Sequence, residues 1–414
     1  MSCRRVVVTG LGLISPVGLD QDQALNAIRT GSSGVNLVSA PPIGHPFAAG
    51  VVPETFEEHF KSLERPFLDR CQHMAILAAR QALQNAGLPQ ELGYLGDRAG
   101  VYYGNVNGGA STTVNWTRDL HVGGKSRARP YTAVAIMGNA GAAQVAIRQK
   151  IHGPVITNAS ACASSGVAIG EAARAIRHGY ADVILAGGAE APLTAGVLGT
   201  FDGLRAMSAP DPDDPARTCK PFSSTRSGLI LGEGAAWIVL ESEEGALERG
   251  AEILAYLSGY GISSDSNNIA MPETGGQVAA LEMALKDSGL APSEIDYINA
   301  HATATQGGDI IEAESIRTVF GGDANAPLVS STKSVHGHLI GATSALELVL
   351  TILAMNARLA PASAHLDVPD DRCGLNHVGP QPRTNVDIRN ALSFSCGFGG
   401  TNAALVVSRP PATP

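Results

Sequence analysis

The sequence predicts an α/β protein built on an internally repeated unit, and three observations carry that expectation. Strand, small-residue turn and helix recur twice in the same form. Residues 155–157 lead through NASACASSG into a helix over 166–178, and Leu328–Ser330 lead through STKSVHGHLIG into a helix over 342–355. The 48 glycines set against 5% aromatics point to close backbone packing and many tight turns. The 44% hydrophobic and 16% charged residues over 414 positions supply a large core, of the kind whose strands are covered on both faces. The seam of the repeat is expected near residue 255, dividing the chain into 1–254 and 255–414.

Residues 5–9 (RVVVT) read as a β-branched strand closed by Gly10. Residues 71–86 (CQHMAILAARQALQNA) have helical periodicity and stop at Gly87. Further strands are expected at 99–104, 181–186, 235–240, 297–300 and 403–407. Loops are expected at 41–53, 123–130, 209–219 and 367–373, none long enough to link independent domains. The most apolar long stretch, 339–356, carries Glu347 and many small residues, which makes it a buried helix and not a membrane insertion.

The net charge of −9 argues against nucleic acid as a partner, since phosphate binding needs clustered cations. Six cysteines (Cys3, Cys71, Cys162, Cys219, Cys373, Cys396) lack CxxC spacing and read as reduced thiols of the cytoplasm. The opening MSCRRVVVTGLG runs into a strand without an apolar leader. TGLGLISPVG imitates a dinucleotide fingerprint, but Ser15 stands at the third glycine position and no acidic residue ends a second strand at the required distance. No cofactor is expected.

Cys162 sits between a strand and the first turn of a helix, flanked by Ala161, Ala163, Ser164, Ser165 and Gly166. A helix N-terminus favours thiolate over thiol, and small neighbours let a substrate reach sulfur and let backbone N–H groups serve as an oxyanion hole. The turn alone fits a nucleophile or a small buried thiol. His301, at a strand end in NAHATATQGGD, and His338, at the second repeat's turn, complete a set able to activate a thioester and hold an enolate. His336 competes with His338; the glycines beside His338 favour the latter.

TGLGLISPVG, NASACASSG, GGAEA, FSSTRSGLILGEGA, NAHATATQGGD, STKSVHGHLIGA and GFGGTN, in that order, resemble the β-ketoacyl-acyl-carrier-protein synthases of the KAS I/II type, members of the thiolase superfamily. The resemblance implies a thiolase-like fold of two pseudo-repeated halves in five layers, α-β-α-β-α. It implies a homodimer, with a loop near residues 130–140 bordering the other subunit's pocket. Cys162 would take an acyl group from an acyl-carrier protein. His301 and His338 would hold the malonyl thioester and assist its decarboxylation, and the N–H groups of Cys162 and Phe398 would form the oxyanion hole. Lys333 matches the family's active-site lysine, Glu312 its ion-pair partner, and Phe398 a gate of the acyl pocket. Arg65, Lys125, Arg127 and Arg129 fall where the family places some of its carrier-protein contacts, although Pro66, Phe67 and Pro210 thin that footprint.

Three departures from the family pattern bear on the chemistry. SFSCGFGG stands where SNSFGFGG is usual, so Phe394 replaces an Asn that, with the residues matching Asn299, Glu347 and Ser393, surrounds a cation in some members; no metal is expected. Cys396 in CGFGG resembles the second cysteine of thiolases, which makes a thiolase the alternative, but NAHA stands where thiolases carry NEAF. Leu229 replaces a common Phe at the acyl tunnel. A non-catalytic chain-length-factor-like subunit is the other rival, and the retained Cys, His and His count against it.

Overall fold

The computed structural model describes residues 4–411 apart from Asp323; Cys3 lies outside the described residues. Ten strands, numbered along the chain, form the main sheet: β1 Val6–Ile14, β2 Ala99–Gly104, β3 Val155–Asn158, β4 Val183–Glu190, β5 Gly234–Ser242, β6 Ala255–Ser264, β7 Tyr297–Asn299, β8 Leu328–Ser330, β9 Asn390–Cys396 and β10 Thr401–Ser408. Their spatial order is β8-β7-β9-β10-β6-β1-β5-β4-β2-β3. Counted outward from the centre, each half runs first, fifth, fourth, second, third. The directions repeat as well. The first, fifth and fourth strands pair antiparallel, and the second and third join them in parallel. The halves meet where Val7 and Val8 of β1 pair with Tyr256 and Ala255 of β6.

Five helices define the layers: α1 Arg70–Asn85, α2 Ser164–Arg177, α3 Thr274–Ser288, α4 Gly308–Phe320 and α5 Thr343–Asn356. The central helices α2 and α5 touch each other and strands of both halves. On the outer faces, α1 covers β1 and β5, while α3, backed by α4, covers β6 and β10. This is the five-layer arrangement expected from the resemblance.

The outer helices explain what the glycines do. Gly10 was expected to end the first strand, yet β1 runs through it to Ile14. A Cβ on Gly10 would lie 2.2 Å from the Ala82 carbonyl oxygen, and one on Gly12 would lie 2.0 Å from that of Ala78. The glycines therefore let α1 rest directly on the strand backbone. The second half repeats the device, with Gly259 facing the Ala284 carbonyl at 2.4 Å and Gly261 that of Ala280 at 1.9 Å. These contacts also account for TGLG without any nucleotide.

Two more expectations are corrected. β6 and β9 were not anticipated, because AYLSGYGISS and NALSFSC mix small and polar residues into the strand pattern. Phe47–Gly50, inside the expected loop 41–53, is a buried strand paired with Val35–Val38. The stretch 339–356 is the start and body of the buried α5, and among the described residues no helix is long and apolar enough to cross a membrane.

The sheet ends differ. The outer side of β8 is covered by residues 376–378, where Val329 N–H donates to Asn376 O and Val378 N–H to Val329 O. Among the described residues β3 pairs only with β2, and its Val155 and Ile156 are 42% and 47% exposed.

Gly12→Ala and Gly261→Ala should each destabilise the fold by at least about 1–3 kcal/mol, the range for inserting a methyl into a packed site. Gly44→Ala, whose Cβ would meet nothing within 4 Å, is the control. Urea denaturation checks this; equal midpoints for all three variants would contradict the packing role.

Candidate active site

Cys162 is the middle residue of a 3-10 turn, Ala161–Ala163, set between β3 and α2. Ala161 holds a left-handed φ of 47°, a conformation that costs energy for a residue with a Cβ. The turn is packed tightly from behind: a Cβ on Gly104 would lie 2.2 Å from Ser165 N. Cys162 is buried, 7% exposed, and its sulfur receives the N–H groups of Cys162 itself and of Phe398. Burial pushes the thiol up to about 11, against the opposing pull of the Lys333 ammonium and those two N–H groups. At rest this sulfur is a thiol, and ionising it would need a nearby base.

His338 supplies it. Its Nε2 is 2.9 Å from Cys162 Sγ, and its Nδ1 is 2.8 Å from Thr343 Oγ1. With Nδ1–H donating to that hydroxyl, Nε2 presents its lone pair to the thiol proton. The backbone of His338 is fixed by Ile230 O and Gly232 N–H. His336, its competitor, is turned away, with Nε2 on Thr332 Oγ1 and Nδ1 on Gly337 O.

His301 follows β7 and sets its ring edge-on to His338, centroids 5.4 Å apart. Donor atoms of Cys162, His301 and His338 all lie within 4.8 Å of one another. Burial, followed by the Lys333 ammonium, pushes both imidazoles well below their ordinary range, so both are neutral near pH 7. His301 Nδ1 is buried and has no hydrogen-bond partner among the described residues.

Lys333 corrects the expected pairing. Its ammonium is fully buried and sits 2.5 Å from Glu347 Oε1, not on Glu312. Glu312 instead accepts the backbone N–H groups of His301 and Ala302, at 2.6 Å each, and so orients the strand end that carries His301. The reason is position: Glu347 lies one turn into α5, beside the short helix Lys333–His336. Asn299 donates to Glu347 O, and Phe394 packs into the second half's core.

Cys162, His301, Glu312 and His338 line a cavity of about 540 Å³. Thr303, Thr305 and Leu229 also line it, and Phe398, 39% exposed, stands among the lining residues. Arg65, Lys125, Arg127 and Arg129 do not line it. Arg65 is held by Phe60 O and faces Glu57, Lys125 pairs with Asp119, and Arg127 and Arg129 are exposed. The cation that does line the cavity is Arg205, which the sequence reading missed because nothing around FDGLRAM marks it. Thr343 was also missed; a hydroxyl five residues past a candidate histidine, at a helix start, was the available signal. Cys396 lines the cavity, with burial holding its thiol well above the ordinary range. All five described cysteines are free.

Comparison with known proteins finds relatives that span nearly the whole chain. The family described as "Beta-ketoacyl synthase, N-terminal domain" matches residues 3–246, and "Beta-ketoacyl synthase, C-terminal domain" matches residues 254–367. The chain is 39% identical to Nodulation protein E of Rhizobium sp. (strain N33), over 97% of this chain and 98% of that protein. It is 35% identical to 3-oxoacyl-[acyl-carrier-protein] synthase 2 of Staphylococcus aureus (strain COL), over 98% of each. A solved type II PKS ketosynthase in complex with its acyl-carrier protein superposes with a TM-score of 0.88 at 31% identity, covering 99% of this chain and 100% of that one.

Alkylation of Cys162 by iodoacetamide should accelerate by close to tenfold per pH unit between about pH 7 and 9, as expected for a thiol with a high pKa; a plateau near pH 8 would contradict it. Glu347→Ala leaves Lys333 buried without a counter-charge and should cost about 3–5 kcal/mol in urea denaturation. The double variant Lys333→Met, Glu347→Leu should recover most of that loss.

Proposed function

The chain belongs to the β-ketoacyl synthase family, a family of condensing enzymes, and from that membership we propose that Cys162, His301 and His338 carry out its decarboxylative Claisen condensation. The observation that carries the assignment is the 2.9 Å contact between Cys162 Sγ and His338 Nε2, with the His301 ring set against His338.

In the first half-reaction His338 Nε2 takes the Cys162 thiol proton as sulfur attacks the carbonyl of a carrier-bound acyl thioester. The oxyanion that forms is met by the N–H groups of Cys162 and Phe398, the two already aimed at sulfur. Collapse breaks the old C–S bond, and the carrier thiol leaves with the proton. In the second, the thioester carbonyl of malonyl-carrier protein accepts hydrogen bonds from His301 and His338. The Thr343 hydroxyl can accept from Nδ1 in one step and donate to it in the next, which lets Nε2 switch from base to donor. Loss of CO₂ leaves an enolate that these donors stabilise. Its α-carbon attacks the acyl group on Cys162, the new C–C bond forms, and the Cys162–acyl bond breaks to release 3-oxoacyl-carrier protein. Neutral imidazoles suit this step, because they donate without protonating the carbanion. Lys333 and Glu312 support the set by charge and by backbone orientation.

The division of the chain at residue 254 into a half that supplies the thiol and a half that supplies both histidines belongs to the same reading. So does a homodimer. Among the described residues the outer edge of β3 is unpaired, with Val155 and Ile156 exposed, which supports pairing with a second copy there. Lys125, Arg127 and Arg129 would then serve the other subunit's mouth, and Arg65 and Arg205 would contact the acyl-carrier protein. Free cysteines support a cytoplasmic setting.

Incubation with acyl-carrier thioester should add one acyl mass to the intact protein, lost in Cys162→Ala. Adding malonyl-carrier protein should then release CO₂ and 3-oxoacyl product, with both His301→Ala and His338→Ala reduced by roughly 10²-fold or more. No adduct would place the chain among non-catalytic partners. Product from acetyl thioester without CO₂, dependent on Cys396, would make it a thiolase.

A further inference from the structure

The two strand-to-helix turns match residue by residue. Each is a three-residue 3-10 turn followed by a 14-residue helix: Ala161–Ala163 before α2, and Ile340–Ala342 before α5. The first residue of each turn has the same left-handed φ of 47°. Cys162 is the middle residue of one, Gly341 of the other. The fold thus builds the nucleophile's position twice and places a thiol in only one.

Glu190, the last residue of β4, occupies the other. A Cβ on Gly341 would lie 2.9 Å from Glu190 Oε1, closer than real Cβ atoms come. The N–H of Gly341, counterpart of the Cys162 N–H that faces sulfur, points at this carboxylate. Val106 N–H and Asn107 N–H also donate to Oε1, and Asn107 Nδ2 donates to Oε2 at 3.0 Å. Glu190 has no exposed surface, so these four donors replace water entirely. The carboxylate ties together two segments distant in sequence: the turn three residues beyond His338, and the loop that follows β2.

We propose that Glu190 is a positioning residue of the condensation: it fills the unused counterpart of the nucleophile site and fastens the His338-bearing turn to the Val106–Asn107 loop. The proposal rests on Cys162 and His338 acting as assigned above. Glu190 also lies close enough to Cys162 for its charge to push that thiol up. Cys71 and Tyr103 face Glu190 too, and burial holds both well above neutral pH, so neither titrates alongside it.

The test uses Glu190→Ala and Glu190→Gln in the full chain. Glu190→Ala strands four buried donors and should lower kcat by roughly 10–100-fold, with KM for the malonyl thioester changed by less than about threefold. Glu190→Gln keeps an acceptor for the backbone donors and should stay within about threefold in kcat. Burial raises the Glu190 carboxyl to about 7, so above that pH Gln removes a negative charge, and iodoacetamide should alkylate Cys162 faster than in the unmodified protein between about pH 8 and 9, a change that a merely structural role would not produce. A kcat for Glu190→Ala within about twofold of the unmodified enzyme, or an unchanged or slower alkylation rate in Glu190→Gln, overturns the proposal. Should Glu190→Ala not fold, the Glu190→Gln alkylation rate decides alone. Failure of the unmodified enzyme to form a Cys162 adduct would instead overturn the underlying assignment.

Discussion

The two central helices begin against each other, and the site depends on how closely their first turns approach. Ser344 Oγ donates to Cys162 O at 3.0 Å, and Ala345 N–H donates to Ser165 Oγ at 3.0 Å. Ser165 and Ser344 hold equivalent places in their helices, so the joint is nearly reciprocal. A Cβ on Gly166 would sit 3.1 Å from that of Ser344, which shows how little room separates α2 from α5. Serine and glycine are poor helix formers on propensity alone, and here they are used for what larger side chains prevent. With the helix starts cross-linked, a thiol from one half and an imidazole from the other come within hydrogen-bond reach without either turn having to move.

Around that joint the protein places charge where it acts at a distance. Burial keeps the histidines neutral, and the ammonium of the buried Lys333–Glu347 pair adds to that effect while drawing the thiol toward ionisation. Such a pair contributes little to stability, since desolvation offsets most of the attraction. Its value lies in setting the protonation states of its neighbours. Glu312, fully buried and pushed up to about 8 by desolvation, spends its hydrogen-bonding capacity on two backbone N–H groups, which turns a titratable side chain into a bracket.

The repeat and the reactive turns were legible in sequence because each is local: a short strand, a run of small residues and a helix leave their mark within about twenty residues. Cys162, His301 and His338 stood at such junctions and could be found there. Other features are set by contacts across the fold. Gly10 looked like a strand end because its real partner, the Ala82 carbonyl, is far along the chain. The same ambiguity hid β6, whose Gly259 and Gly261 are packing surfaces. The partner of Lys333 depended on which of two buried glutamates the fold brings nearest, and Arg205 reached the cavity through the arrangement of neighbouring loops. Spacing carries no record of either.

An open sheet normally has two free borders, and each invites another strand. Here one border, at β8, is sealed by the chain's own residues 376–378, while the other, at β3, is bare among the described residues. Growth by strand addition is therefore possible from one side only. Two copies joined there would present sealed borders at both ends, so the association would close on itself and could not propagate into a filament.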